Sequence, residues 1–114
     1  MAKIELKSEK IGTVLCVDFS GSLDASTVSP LEAELNPLVE GHKGSYIFDL
    51  KGLEYISSAG VGFFMQKNDE IKRKNLFLMF SGLTPKVQKV FTVLNLYKHF
   101  KIVDTREQAL AALK

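Results

Sequence analysis

A single α/β domain built on a mixed sheet is the fold this sequence predicts, and three observations carry it. An opening pair of strand-like segments gives way to apolar strand-type runs that alternate with stretches of helical spacing, the pattern of strands joined by crossover helices. One of those runs, Leu76-Phe77-Leu78-Met79-Phe80, is apolar throughout and suits a sheet interior covered on both faces. The chain of 114 residues, 46% of them hydrophobic, is long enough for one core and too short for a second. We therefore expect residues 1–114 to form one domain, with a sheet of four to five strands flanked by about four helices.

The elements follow in order. Ile4 to Lys7 alternates weakly and Thr13 to Phe19 is a better strand, with Glu9-Lys10-Ile11-Gly12 as their hairpin connection. Ser29-Pro30-Leu31-Glu32 then offers an N-cap, a proline at the first helical position and a glutamate at the third. Leu31, Leu35 and Leu38 form the apolar stripe of that helix, with Pro37 placed to distort or shorten it, and Gly41 to Gly44 end it. The third strand begins near Ser45 and contains Tyr46-Ile47-Phe48-Asp49-Leu50. A second helix is expected from about Ser58 to Lys74, with Val61, Phe64, Met65 and Ile71 inward. After the apolar run at Leu76–Phe80, Thr84-Pro85 opens a third helix carrying Val87, Val90, Phe91 and Leu94. Phe100-Lys101-Ile102-Val103 is a short last strand. A final helix has Asp104 as its cap and Glu107 three positions on, and packs through Ala109, Leu110 and Leu113.

Composition excludes several classes of function. Fifteen basic residues against thirteen acidic give a formal charge of +2, too small for a general nucleic-acid binder, so the expected partner is a protein. Cys16, in Val14-Leu15-Cys16-Val17, reads as a small buried hydrophobe, and one cysteine allows no disulfide within the chain, which fits a reducing compartment. The start Met1-Ala2-Lys3-Ile4-Glu5 lacks the apolar core of a signal peptide and no apolar run approaches membrane-spanning length. We expect a cytoplasmic protein with no membrane span.

No cofactor, metal or catalysis is expected either. Gly60-Val61-Gly62 followed by Phe63-Phe64-Met65 lacks the third glycine of a dinucleotide fingerprint, and no Gly-Lys-Ser/Thr phosphate loop occurs. A hydrolase elbow needs Gly-x-Ser-x-Gly, whereas Ile56 stands two residues before Ser58. His42 and His99 read as solvated or structural, and with the one cysteine they show no zinc-ligand spacing.

The segment that does look built for chemistry is Tyr55-Ile56-Ser57-Ser58-Ala59-Gly60-Val61-Gly62, a serine pair on small-residue ground between strand and helix. Unpaired N–H groups and the positive end of the helix dipole converge there and favour an anionic group such as a phosphate on a serine. Serine is also a preferred N-cap, and small residues at a helix start serve close packing. Both uses fit the residues.

The stretch from Asp49-Leu50-Lys51-Gly52-Leu53-Glu54 through Tyr55-Ile56-Ser57-Ser58-Ala59-Gly60-Val61-Gly62 resembles the signature of STAS domains, the fold of bacterial anti-sigma-factor antagonists and of sulfate-transporter tails. Upstream, Phe19-Ser20-Gly21-Ser22-Leu23-Asp24 resembles the family's early block, in which a strand ends in a Gly-x-Leu-Asp turn close to the phosphorylation loop. The resemblance spans essentially the whole domain and implies a partner switch. The unphosphorylated protein would bind an anti-sigma factor or a histidine-kinase-like serine kinase, phosphorylation on the loop hydroxyl would release it, and a metal-dependent serine phosphatase would reset the cycle. In the family the accepting hydroxyl directly follows an Asp, which places it at Ser58 here. Ser57 stands where that Asp would be, so it becomes a competing acceptor. The implied partner surface comprises Asp24, Ser57, Ser58, Ala59 and Gly60. Asp24 also fits a plain turn or cap use, and Asp49 reads as a strand-end residue near the same loop.

To this surface the helical spacing adds Phe63, which points outward with Gln66, Lys67 and Glu70 if Val61, Phe64, Met65 and Ile71 face in. The ring is then either an interface anchor or a side chain tucked beneath a neighbouring loop. Lys67, Lys72, Arg73 and Lys74 read as a solvated helix end. A different class of function also fits the resemblance, a constitutive STAS subunit of a transport complex that keeps the fold without using the serine.

Overall fold

The structure, a computed structural model, describes residues 3–113. Among these, five strands form one sheet in the order β1 (Ile4–Ile11), β2 (Val14–Leu23), β3 (Tyr46–Ile56), β4 (Leu78–Ser81) and β5 (Lys101–Val103). β1 is antiparallel to β2 and the remaining neighbours are parallel, so the sheet is mixed as expected. The helices are α1 (Val28–Glu40), α2 (Ser58–Arg73), α3 (Pro85–Val93) and α4 (Arg106–Leu113).

Side-chain alternation divides the sheet into two unequal faces. One carries Phe19, Phe48 and Phe80, which meet Phe64 of α2 and Phe91 of α3 in a chain of tilted and edge-on rings with centroids 4.9 to 6.1 Å apart. Leu31, Leu35 and Val39 of α1 close the same core. A buried phenylalanine contributes roughly 1.5–3 kcal/mol through burial alone, about as much as each of the buried leucines, isoleucines and valines packed around these rings. The opposite face is thinner, with Val14, Cys16, Ile47 and Met79 beneath Ala109 of α4. Cys16 is buried there, and desolvation pushes its thiol up.

Several expected boundaries shift, each for a local reason. β1 runs through Glu9 and Lys10 to Ile11, which pairs with Val14, so the hairpin turn is only Gly12-Thr13, with Gly12 at φ +63°. Helix α1 starts earlier, at Val28, with Thr27 at the N-cap position but its hydroxyl donating to Ser22 O and not capping the helix, and its stripe uses Val39 where Leu38 was expected. Pro37 lies inside α1 without ending it. β4 begins at Leu78 because Leu76 is used to close α2: its N–H donates to Ile71 O at 3.2 Å past Asn75, which adopts the left-handed conformation. In α3, Val87 and Phe91 are buried, whereas Val90 is half-buried and Leu94 is exposed. The cap of α4 is Thr105, one residue after Asp104. Its hydroxyl accepts from Gln108 N–H at 3.1 Å while Gln108 Oε1 accepts from Thr105 N–H, a capping box.

Candidate functional site

β2 and β3 run parallel and end at the same level, so the loops that leave them are neighbours. Leu23 pairs with Ile56 as the last residues of their strands, and the next N–H along, that of Ser57, donates to Leu23 O at 2.9 Å. This bond sets Asp24 beside the serine pair. β3 loses β4 as a partner after Asp49, where Asp49 lies opposite Ser81, and continues alone with β2 to Ile56. The serine loop consequently stands on a ledge that projects past the rest of the sheet.

The two serines have different jobs. Ser57 takes an extended conformation at φ −99°, ψ 177°, and its Oγ accepts from the Gly60 N–H at 3.4 Å. It is the N-cap of α2. Ser58 is the first helical residue, its side chain is exposed, and among the described residues its hydroxyl has no hydrogen-bond partner. Of the N–H groups at this helix start, that of Ser57 donates to Leu23 O and that of Gly60 to Ser57 Oγ, which leaves those of Ser58 and Ala59 at the positive end of a helix of sixteen residues. A phosphate on Ser58 would therefore meet donors within its own helix, without displacing any bond that holds the loop.

Small residues fit this site tightly on one side only. A Cβ on Gly60 would lie 2.8 Å from Ile56 Cγ1, 2.8 Å from Leu23 Cγ and 2.9 Å from Leu23 O, so α2 can approach the strand ends only because that side chain is missing. A Cβ on Gly62 would meet nothing within 4 Å. Ala59 is exposed beside Ser58, whereas Gly60 is buried.

Asp24 uses one carboxylate oxygen to organise the turn into α1. Its Oδ1 accepts from Ser26 Oγ at 2.6 Å, Ser26 N–H at 2.8 Å and Thr27 N–H at 3.2 Å. The Ser26 hydroxyl, with these backbone donors behind it, holds the carboxyl below its usual range. The turn use expected of Asp24 is thus realised next to the serine loop.

Phe63 is the main correction. Its ring is buried, 3% exposed, as part of the aromatic core, while Met65, expected inward, is exposed. The reason is that α2 is covered on two sides, by the sheet and by α1, so its buried face is wider than one stripe and takes in Gly60, Val61, Phe63, Phe64, Lys67, Asn68 and Ile71. Lys67, also expected in solvent, is 3% exposed. Its stem passes Phe63, with Nζ 5.5 Å from the ring centroid, and the ammonium bonds Asn36 Oδ1 at 3.0 Å and Glu70 at 3.3 Å. Phe63 therefore does not line a partner surface. The outward stripe of α2 is instead Ser58, Gly62, Met65 and Asp69, all exposed and spaced three or four apart.

Asp49 is likewise not a strand-end residue. It is buried within β3 on the thinner face, where Arg106 of α4 reaches it at 3.2 Å and also contacts Asp18 and Glu9. Burial pushes the Asp18 carboxyl up even though Arg106 pulls the other way. Desolvation pulls the Arg106 guanidinium down, and Asp18 and Asp49 more than offset it. This cluster fastens α4 to the sheet across 57 residues of sequence, a separation that no local pattern signals. His42 has a structural role: Nε2 donates to Ser45 O at 2.9 Å and the ring packs edge-on against Tyr46.

Among the described residues no helix is long and apolar enough to cross a membrane. Residues 5–109 match the STAS domain family profile. The chain is 30% identical over 111 residues to BtrV of Bordetella bronchiseptica, assigned as an anti-sigma factor antagonist, an alignment covering 97% of this chain and 96% of that protein. The crystal structure of an anti-sigma factor antagonist from Mycobacterium paratuberculosis shares the fold with a TM-score of 0.87 at 22% identity, over 97% of this chain and 94% of that one. The phosphorylated form of SpoIIAA, a Bacillus cell fate determinant, superimposes with a TM-score of 0.71 at 20% identity, over 96% and 100% of the two chains. With the serine loop, the strand order and a profile match over nearly its whole length, the chain belongs to the STAS domain family.

Proposed function

We propose that this protein is an anti-sigma factor antagonist that works as a phosphorylation-controlled partner switch, with Ser58 as the accepting residue and Ser57 as its structural neighbour. The observation that carries the assignment is the division of labour between the two hydroxyls. Ser57 Oγ is engaged by Gly60 N–H, whereas Ser58 is exposed with its hydroxyl unengaged among the described residues. The relatives named as antagonists and the phosphorylated neighbour of the same fold support the reading.

In this account the unphosphorylated loop and the outward stripe of α2 meet an anti-sigma factor that is also a histidine-kinase-like serine kinase. Met65 supplies the apolar contact that Phe63 cannot, and Asp24 fixes the adjoining turn. Phosphorylation adds roughly −1.5 to −2 charges at the positive end of α2, where the free domain tolerates them. The complex does not tolerate them. An interface closed over a neutral hydroxyl would have to desolvate the dianion, and moving a complex from almost all bound to almost all free takes about 5.5 kcal/mol. A metal-dependent serine phosphatase then restores the binding form.

Ser58→Asp tests the electrostatic half of this reading. Aspartate carries one charge and two oxygens against the phosphate's nearly double charge and three, so the imitation should be partial. A binding titration against the cognate kinase should show weakened affinity beside an unchanged or slightly raised melting temperature. Unchanged affinity would mean that the serine does not face the partner.

A further inference from the structure

At the opposite edge of the sheet, where β4 and β5 begin, lies a cavity of about 570 Å³ between the end of α2 and the turn at Leu96–Lys98. Among the described residues its lining includes Lys72, Lys98, His99 and Lys101 and no carboxylate. A chain with a formal charge of only +2 thus concentrates three lysines on one groove, and among the described residues none of them forms an ion pair. Lys72 sits on the last turn of α2 and offsets that helix's own negative end, so the surplus charge rests on Lys98 and Lys101. Two flat apolar walls accompany the charge. Phe77 and Tyr97 are about half exposed, at 53% and 48%, and Lys101 Nζ stands 4.7 Å from the centroid of Phe77. The floor is held from beneath by Asn68, whose Nδ2 donates to His99 O at 3.2 Å.

We infer that this groove binds a small organic anion with a flat apolar body. The volume is that of a site for a drug-sized molecule, the exposed rings of Phe77 and Tyr97 offer apolar surface to a flat ligand, and the lysines supply charge with no acidic group among the described lining residues to repel it. The cavity lies a helix length from Ser58, roughly 20 Å at 1.5 Å per residue, so it does not depend on the switch reading.

The probe that tests it is 8-anilinonaphthalene-1-sulfonate, titrated by fluorescence into the native protein, with neutral N-phenyl-1-naphthylamine as the uncharged arm. Saturable binding at one site is expected, with the neutral compound weaker and with affinity reduced about tenfold or more by Lys98→Glu combined with Lys101→Glu. A melting curve checks that the double variant is folded. Should it not be, amide shift changes in the wild type on adding the sulfonate must include residues 97–101. Absence of saturable binding, equal binding of the neutral compound, affinity unmoved in the folded double variant, or shift changes confined elsewhere would each overturn the inference.

Discussion

Helices α2 and α3 begin in the same way and differ in one atom's employment. Each opens from an extended hydroxyl residue, Ser57 at φ −99° and Thr84 at φ −71°, whose oxygen accepts from an N–H three residues on. At α3 the hydroxyl also donates to Leu53 O at 3.2 Å and the next residue is Pro85, so nothing at that start is left for chemistry. At α2 the next residue is a second serine, exposed and outside the capping bond. The difference teaches that the hydroxyl to suspect at a helix start is the one the fold does not need.

The largest effect should separate the two glycines that flank this start. Gly60→Ala forces a Cβ against Leu23 and Ile56 and should lower stability by about 1–3 kcal/mol. Gly62→Ala meets no neighbour and should raise stability by up to about 1 kcal/mol through helix propensity. Denaturant melts of the two variants must shift in opposite directions, or the close approach of α2 to the strand ends is not what the loop requires. Thr84→Ala comes next. It removes both a cap and a donor to Leu53 O and should cost about 1–2 kcal/mol in the same melts.

A finer test compares the serines directly. Ser57→Ala should cost roughly 0.5–1 kcal/mol, since its capping bond is long, while Ser58→Ala should stay within about 0.5 kcal/mol of wild type. Equal losses would erase the distinction between the cap and the surplus hydroxyl. The smallest expected effect concerns Asp24. Its carboxyl is held low in the fold, so the stability it contributes is complete above the ordinary carboxylate value of about 3.9 and is lost as pH falls through the lower folded value. Between wild type and Asp24→Asn, the difference in melting temperature should therefore be constant near neutrality and shrink only in acid.

Much of this arrangement is legible in the sequence because it is local. The strand-to-helix change at Ser57-Ser58 and the Thr84-Pro85 start depend on neighbours a few residues away, and the structure keeps them, whereas of the apolar run Leu76–Phe80 only Leu78–Phe80 is strand and Phe77 is half exposed. What the sequence hides is two-sided packing. A single inward stripe for α2 is the simplest reading of Val61, Phe64 and Ile71, but α1 covers a second flank and draws in Phe63 and the stem of Lys67. Arg106 and Asp49 are hidden for a similar reason, since strand register and α4 bring them together across distant segments. The Asp104 cap misses by one residue because Thr105 and Gln108 form the better reciprocal pair.

The central claim, that Ser58 and not Ser57 accepts phosphate, is tested most directly by mass-spectrometric mapping after incubation with ATP and the cognate kinase or a cell lysate that contains it. Wild type, Ser57→Ala and Ser58→Ala should be compared, each first shown to be folded and to bind the kinase. The account predicts phosphate on residue 58 in wild type and in Ser57→Ala, and none in Ser58→Ala. Phosphate retained in Ser58→Ala and lost in Ser57→Ala would contradict it, and absence of phosphate from all three would favour a constitutive subunit that keeps the fold without the switch.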